Sequence, residues 1–122
     1  MRTTMEERSL VFGVNVIKFV RESGGEGLTQ RSREQLVSSA TSVGANISEA
    51  RSAQSRADFI SKIEIALKEA RETDYWLNVL YRLSSNPKDA HKALLKECGE
   101  ITAMLVASVK TAKTNRERLA QK

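Results

Sequence analysis

The apolar positions Leu36, Ala40, Val43, Ile47 and Ala50 recur at intervals of four, three, four and three residues. That spacing puts all five on one narrow stripe of an α-helix, the seam by which helices pack side by side at a shallow angle. A strand cannot use it, because successive side chains of a strand point to opposite faces. No period-two alternation of apolar and polar residues competes with it anywhere in the chain. A helix with this seam needs other helices to cover it, and the flanking sequence supplies three.

The first helix is predicted over about residues 4–22, with Leu10, Val14, Ile17 and Val20 facing inward and Phe12 and Phe19 widening the stripe. Ser23-Gly24-Gly25-Glu26-Gly27 ends it and reads as a turn supplying positive-φ positions, not as a phosphate cradle. The second helix, about 30–51, has Thr29 or Ser32 as its N-cap. Arg51-Ser52-Ala53-Gln54 interrupts, and Ser55 with Asp58 three residues on starts a third helix over about 56–84.

Its inward face is predicted as Phe59, Ile63, Leu67, Ala70, Leu77 and Leu80, with Asp74 interrupting the seam. Ser84-Ser85-Asn86-Pro87 stops it; Asn86 is a natural N-cap and Pro87 suits the first turn of a fourth helix, about 87–115. That helix carries Leu94, Cys98, Ile101, Leu105 and Ala112 inward, with Leu95, Val106 and Val109 beside them, before a polar tail expected to fray. Short connections force antiparallel neighbours, so the expected fold is all-α, a left-handed, antiparallel up-down-up-down four-helix bundle in which residues 1–122 form one domain.

A chain of 122 residues can bury a core without staples. Cys98 is the only cysteine, so no intrachain disulfide forms and a small core residue is expected there. No apolar run approaches the roughly 20 residues that span a bilayer, and Met1-Arg2-Thr3-Thr4 lacks the apolar stretch of a secretory signal, so a cytoplasmic location is expected. Apolar residues outside the seams, Val37 beside Leu36 and Val109 beside Leu105, point to a homo-oligomer.

The run Gln35-Leu36-Val37-Ser38-Ser39-Ala40-Thr41-Ser42-Val43-Gly44-Ala45-Asn46-Ile47-Ser48-Glu49-Ala50 resembles the signature of the bacterial four-helix-bundle proteins encoded in intervening sequences of 23S ribosomal RNA genes, the S23 ribosomal protein-like family. The match lies at Gln35, Leu36, Ala40, Ser42, Val43, Asn46, Ile47, Ser48 and Glu49. A second block, residues 59–77 with its Glu72-Thr73-x-Tyr75-Trp76-Leu77 end, is similar to the third helix of that family. Ala50-Arg51-Ser52 departs from it, lacking the glycines that much of the family has at this turn. The resemblance implies a left-handed bundle assembling into a ring, often a pentamer, with a basic surface that meets nucleic acid. It also implies kinship with the accessory variability protein of diversity-generating retroelements, which contacts a reverse transcriptase.

Catalytic candidates are absent from this reading. His91, the single histidine, has neither a nucleophile nor a Glu-x-x-His partner, so no Ser-His-Asp set and no di-iron pattern is predicted. A bundle metalloenzyme is the remote alternative, and no cofactor or metal is expected. Asn46 and Glu49 on helix two, with Glu72 and Asp74 on helix three, are predicted to form a structural polar cluster fixing register, Asp74 either facing solvent or meeting a cation such as Arg71. Tyr75 and Trp76 are read as core or oligomer packing.

Net charge is +5, from 20 basic and 15 acidic residues. Residues 1–61 hold 8 basic against 7 acidic, and residues 62–122 hold 12 against 8. Lys110, Lys113, Arg116 and Arg118, opposed only by Glu117, are therefore the predicted nucleic-acid contact, for RNA or DNA without base specificity. The alternative is a protein-protein scaffold with no nucleic-acid affinity.

Overall fold

The computed structural model describes residues 4–22 and 27–120 and consists of four helices: α1 (Met5–Glu22), α2 (Gln30–Arg51), α3 (Arg56–Leu83) and α4 (Asp89–Ala120). Among the described residues there is no strand. The predicted turn at residues 23–26 lies outside the described residues; Gly27, at its end, has φ +91°, which favours glycine.

The local signals act as the sequence predicts at two helix starts. The Thr29 hydroxyl accepts from the Ser32 amide at 3.1 Å, and the Ser55 hydroxyl accepts from the Asp58 amide at 3.0 Å. The fourth helix starts later than expected: the Lys88 carbonyl accepts from the His91 and Lys92 amides, so Lys88 stands at the cap and Pro87 precedes it. At the other end α4 runs to Ala120, five residues beyond the expected bound at 115.

Helices α1 and α3 each pack on α2 and α4, while the α1–α3 and α2–α4 pairs lie on the diagonals, with no close backbone approach among the described residues. Cross-helix partners run in opposite sequence order: Ser39 meets Thr73 and Glu49 meets Lys62, while Ala70 meets Cys98 and Leu77 meets His91. The predicted seams of α2 and α4 are the buried ones, Leu36, Ala40, Val43, Ile47 and Ala50 with Leu94, Cys98, Ile101, Leu105 and Ala112.

The other two helices depart from the sequence reading, α1 in the face it buries and α3 only at single steps of a seam that keeps Ile63, Ala70, Leu77 and Leu80. In α1 the buried residues are Ser9, Phe12, Gly13 and Val16, whereas Leu10 and Val14 are 61% and 43% exposed. Apolar residues surround α1, so hydrophobicity alone cannot choose a face; close approach does. A Cβ on Gly44 would stand 3.4 Å from the Ser9 backbone, and one on Gly13 would stand 3.6 Å from Thr41 Cα. Ser9 and Gly13 therefore face α2, and Leu10 and Val14 turn outward.

In α3 the seam runs Ile63, Ala66, Ala70, Thr73, Leu77 and Leu80, with Phe59 and Leu67 packed at its edge. Thr73, not Asp74, occupies the step between Ala70 and Leu77. A threonine hydroxyl can bond back to its own helix, whereas a carboxylate there would lose its water without a countercharge.

Candidate nucleic-acid interface

The four helices differ in length, and that positions the cations. At about 1.5 Å per residue, α4 spans roughly 48 Å against roughly 27 Å for α1, so the last turns of α4 outrun α1, while the start of α3 still runs beside them at Arg56. Beyond Ala112 no residue of α4 is buried. Lys110, Lys113, Arg116 and Arg118 all stand exposed on this segment. At about 100° per residue they fan around roughly 200° of the helix instead of forming one stripe. Lys113 is already committed, its Nζ 2.9 Å from Glu64 Oε1.

A groove of about 730 Å³ runs beside this segment, lined by Met5, Phe59, Met104, Ala112 and Asn115, with Arg56 on its edge.

The predicted polar cluster is not assembled as a unit. Asn46 donates to the Ser42 carbonyl at 2.8 Å, Glu49 pairs with Lys62 at 3.5 Å, and Glu72 is exposed. Asp74 is half-buried and accepts from the Asn78 amide group at 3.2 Å, so its partner is neutral and on its own helix, not Arg71. Among the described residues no hydrogen bond or ion pair joins the four to one another. The buried polar link between α2 and α3 is instead Ser39 and Thr73, whose hydroxyls lie 3.0 Å apart. Small hydroxyls serve that seam because they satisfy themselves on nearby carbonyls, those of Leu36 and Glu69.

Trp76 packs against the core, and its indole N–H is buried with no hydrogen-bond partner. Tyr75 meets its ring edge-on at 5.4 Å but is itself 61% exposed, available to a surface outside the chain. His91 is buried, its Nε2 2.8 Å from the Leu77 carbonyl and its ring between Phe19 and Tyr81. It pins α4 to α3. Burial pushes the Cys98 thiol up to about 12, with the Asp74 charge adding to the effect. Among the described residues no group of three or more His, Cys, Asp or Glu could hold a metal ion, and no helix is long and apolar enough to cross a membrane.

The sequence reading missed a second concentration of charge. Phe19 and Tyr81 both lie about 5 Å from His91, and a Cβ on Gly27 would stand 3.8 Å from Leu83. The end of α1, the start of α2, the end of α3 and the start of α4 thus share one end of the bundle. Lys18, Arg21, Arg31, Arg82, Lys88 and Lys92 stand exposed there, and none is in an ion pair among the described residues. Arg51, Lys62 and Lys113, toward the other end, are each paired with a carboxylate. These cations are dispersed over three separate stretches of sequence, so a count along the chain cannot gather them.

The family described as 23S rRNA-intervening sequence protein matches residues 3–107. A solved structure of a protein of unknown function from the S23 ribosomal protein family of Bacteroides thetaiotaomicron VPI-5482 superposes with a TM-score of 0.80 at 38% identity, over 88% of this chain and 99% of that one. No curated protein matches the chain. Sequence blocks, helix order and superposition agree, and the chain belongs to the 23S rRNA-intervening sequence protein family.

Proposed function

We propose that this chain is a non-enzymatic cytoplasmic bundle that assembles with copies of itself and meets RNA or DNA weakly, without reading bases, through Lys110, Lys113, Arg116 and Arg118. The observation that supports the reading is the end of α4, where Lys110, Arg116 and Arg118 stand exposed around and beyond the last buried residue, Ala112, with Lys113 exposed beside Glu64. Phosphates need cations and little fixed geometry, so a segment with cations fanned around it suffices for positioning without specificity.

Self-association draws on the outward row of α1, where Leu10 and Val14 are 61% and 43% exposed. A neighbouring copy would cover them, and a ring of five, the assembly the family resemblance implies, would multiply a charge of +5 into a continuous field. A second reading, a scaffold for a protein partner with no nucleic-acid affinity, draws on the apolar groove beside Phe59 and Met104.

Salt-titrated binding to a structured RNA tests the first reading. Reversing the four charges to Glu is expected to weaken binding at least tenfold and to flatten the salt dependence. Unchanged affinity removes the role of the α4 surface, and absence of any salt-dependent binding favours the scaffold. Light scattering tests assembly: the expected mass exceeds one chain and falls in Leu10→Lys/Val14→Lys, and a monomer at micromolar concentration refutes it.

A further inference from the structure

We infer that the bundle carries a separate binding groove for single-stranded nucleic acid between the end of α1 and the start of α4, opposite the α4 tail. This rests on the reading that the protein meets nucleic acid, and adds to it a second surface with a different preference.

The groove holds about 630 Å³ and lies between Lys18 on α1 and Lys88 at the start of α4, with the half-buried Phe19 ring and the exposed Val11 as its open apolar surface, the buried Phe12 and Leu94 behind them and Asn15 at its side. Neither lysine is in an ion pair among the described residues. Two carboxylates also line it: Glu97 is neutralised by Arg8, whose Nε donates to it at 3.1 Å, leaving Glu22 as the one uncompensated acid. Arg21, one turn from Lys18, and Lys92, one turn from Lys88, extend the cationic field at this end of the bundle.

An aromatic and apolar floor between cations is the chemistry that binds single strands, where an unstacked base lies on a ring and its flanking phosphates lie on lysines. A duplex offers the phosphates but keeps its bases stacked inside, so it cannot use the floor. Asp89 stands in the first turn of α4 beside Lys88 and Lys92, and cations still outnumber acids among the described residues at this end of the bundle.

Fluorescence anisotropy with a labelled 12-nucleotide single strand, in RNA and DNA arms, and with the matching duplex tests the inference. The variants are Lys18→Glu/Lys88→Glu, the milder Lys18→Gln/Lys88→Gln, and the fourfold reversal of the α4 tail; all replaced side chains are exposed, and circular dichroism checks the fold. Wild type is expected to prefer the single strand over the duplex. The Glu pair is expected to weaken single-strand binding at least tenfold, the Gln pair less, with the slope of log affinity on log salt falling by about 1.4 for two lost phosphates. The α4 reversal, although it removes more charge, is expected to weaken single-strand binding less than the Glu pair does. Single-strand affinity unchanged in the Glu pair, or a duplex bound as tightly as the strand, overturns the groove. Loss of all binding on α4 reversal alone overturns the groove while leaving the earlier reading intact, and a wild type that binds neither probe overturns both.

Discussion

The hydroxyl pair between α2 and α3 gives a stability prediction that separates the tertiary reading from the linear one. Ser39 and Thr73 are both fully buried, with their oxygens 3.0 Å apart. The Ser39 hydroxyl also lies 3.1 Å from the Leu36 carbonyl, and Thr73 Oγ1 lies 2.8 Å from the Glu69 carbonyl. Two hydroxyl protons are therefore shared among more acceptors than two. Thr73→Val keeps the shape and removes the hydroxyl, yet it leaves no orphan: Ser39 still donates to Leu36, and the Glu69 carbonyl keeps its place in the helix. The cost is then the net worth of a neutral hydrogen bond, about 1 kcal/mol, without the larger penalty of an unsatisfied buried group.

Ser39→Ala is expected to cost a similar amount, since it removes one oxygen and leaves Thr73 bonded to Glu69. The double variant is expected to cost about 1 kcal/mol less than the sum of the two, because the second change removes a bond already lost. Urea unfolding followed by circular dichroism at 222 nm, at one fixed protein concentration, reads each change as a midpoint shift of about 0.5 M for a slope near 2 kcal/mol per M. Additivity within about 0.3 kcal/mol would refute the pairing. Asp74→Asn is the control: the linear pattern puts Asp74 in the seam, but its half-buried carboxylate meets only Asn78, so a change within about 0.5 kcal/mol is expected.

Further expectations follow from the same packing. Leu105, with no exposure, is expected to cost about 3–5 kcal/mol on substitution by Ala, measured by the same unfolding curve. Cys98 should resist a thiol reagent at pH 8 in native protein and react fully in denaturant; rapid native labelling refutes its burial. Its thiol is raised to about 12 by burial from an unfolded value near 9, so the stability it contributes is present below pH 9 and lost as pH climbs from 9 toward 12. Comparing the pH dependence of unfolding with that of Cys98→Ala in that window checks the sign.

The helical identity, the breaks and the seams of α2 and α4 are legible in the chain because each is a short-range property. A four-three repeat fixes which side chains share a stripe, and Thr29 and Ser55 satisfy amides three residues away, with no distant partner needed. The face of α1 is different. Leu10 and Val14 look like core and are exposed, because the choice was made by the nearness of Gly44 to Ser9, residues 35 positions apart in sequence. No spacing within α1 carries that information.

The functional surfaces divide in the same way. Lys110, Lys113, Arg116 and Arg118 are neighbours in sequence, so the chain alone marks them, and the sequence likewise determines four helices, their bounds to within a few residues and the family motif at residues 35–77. Only the packed bundle brings Lys18 to Lys88, exchanges Asp74 for Thr73 in the seam and ties Lys113 to Glu64. The physical reason is range: hydrogen bonds and periodicity within a helix act over three or four residues, whereas desolvation and charge depend on which helices come to lie against one another.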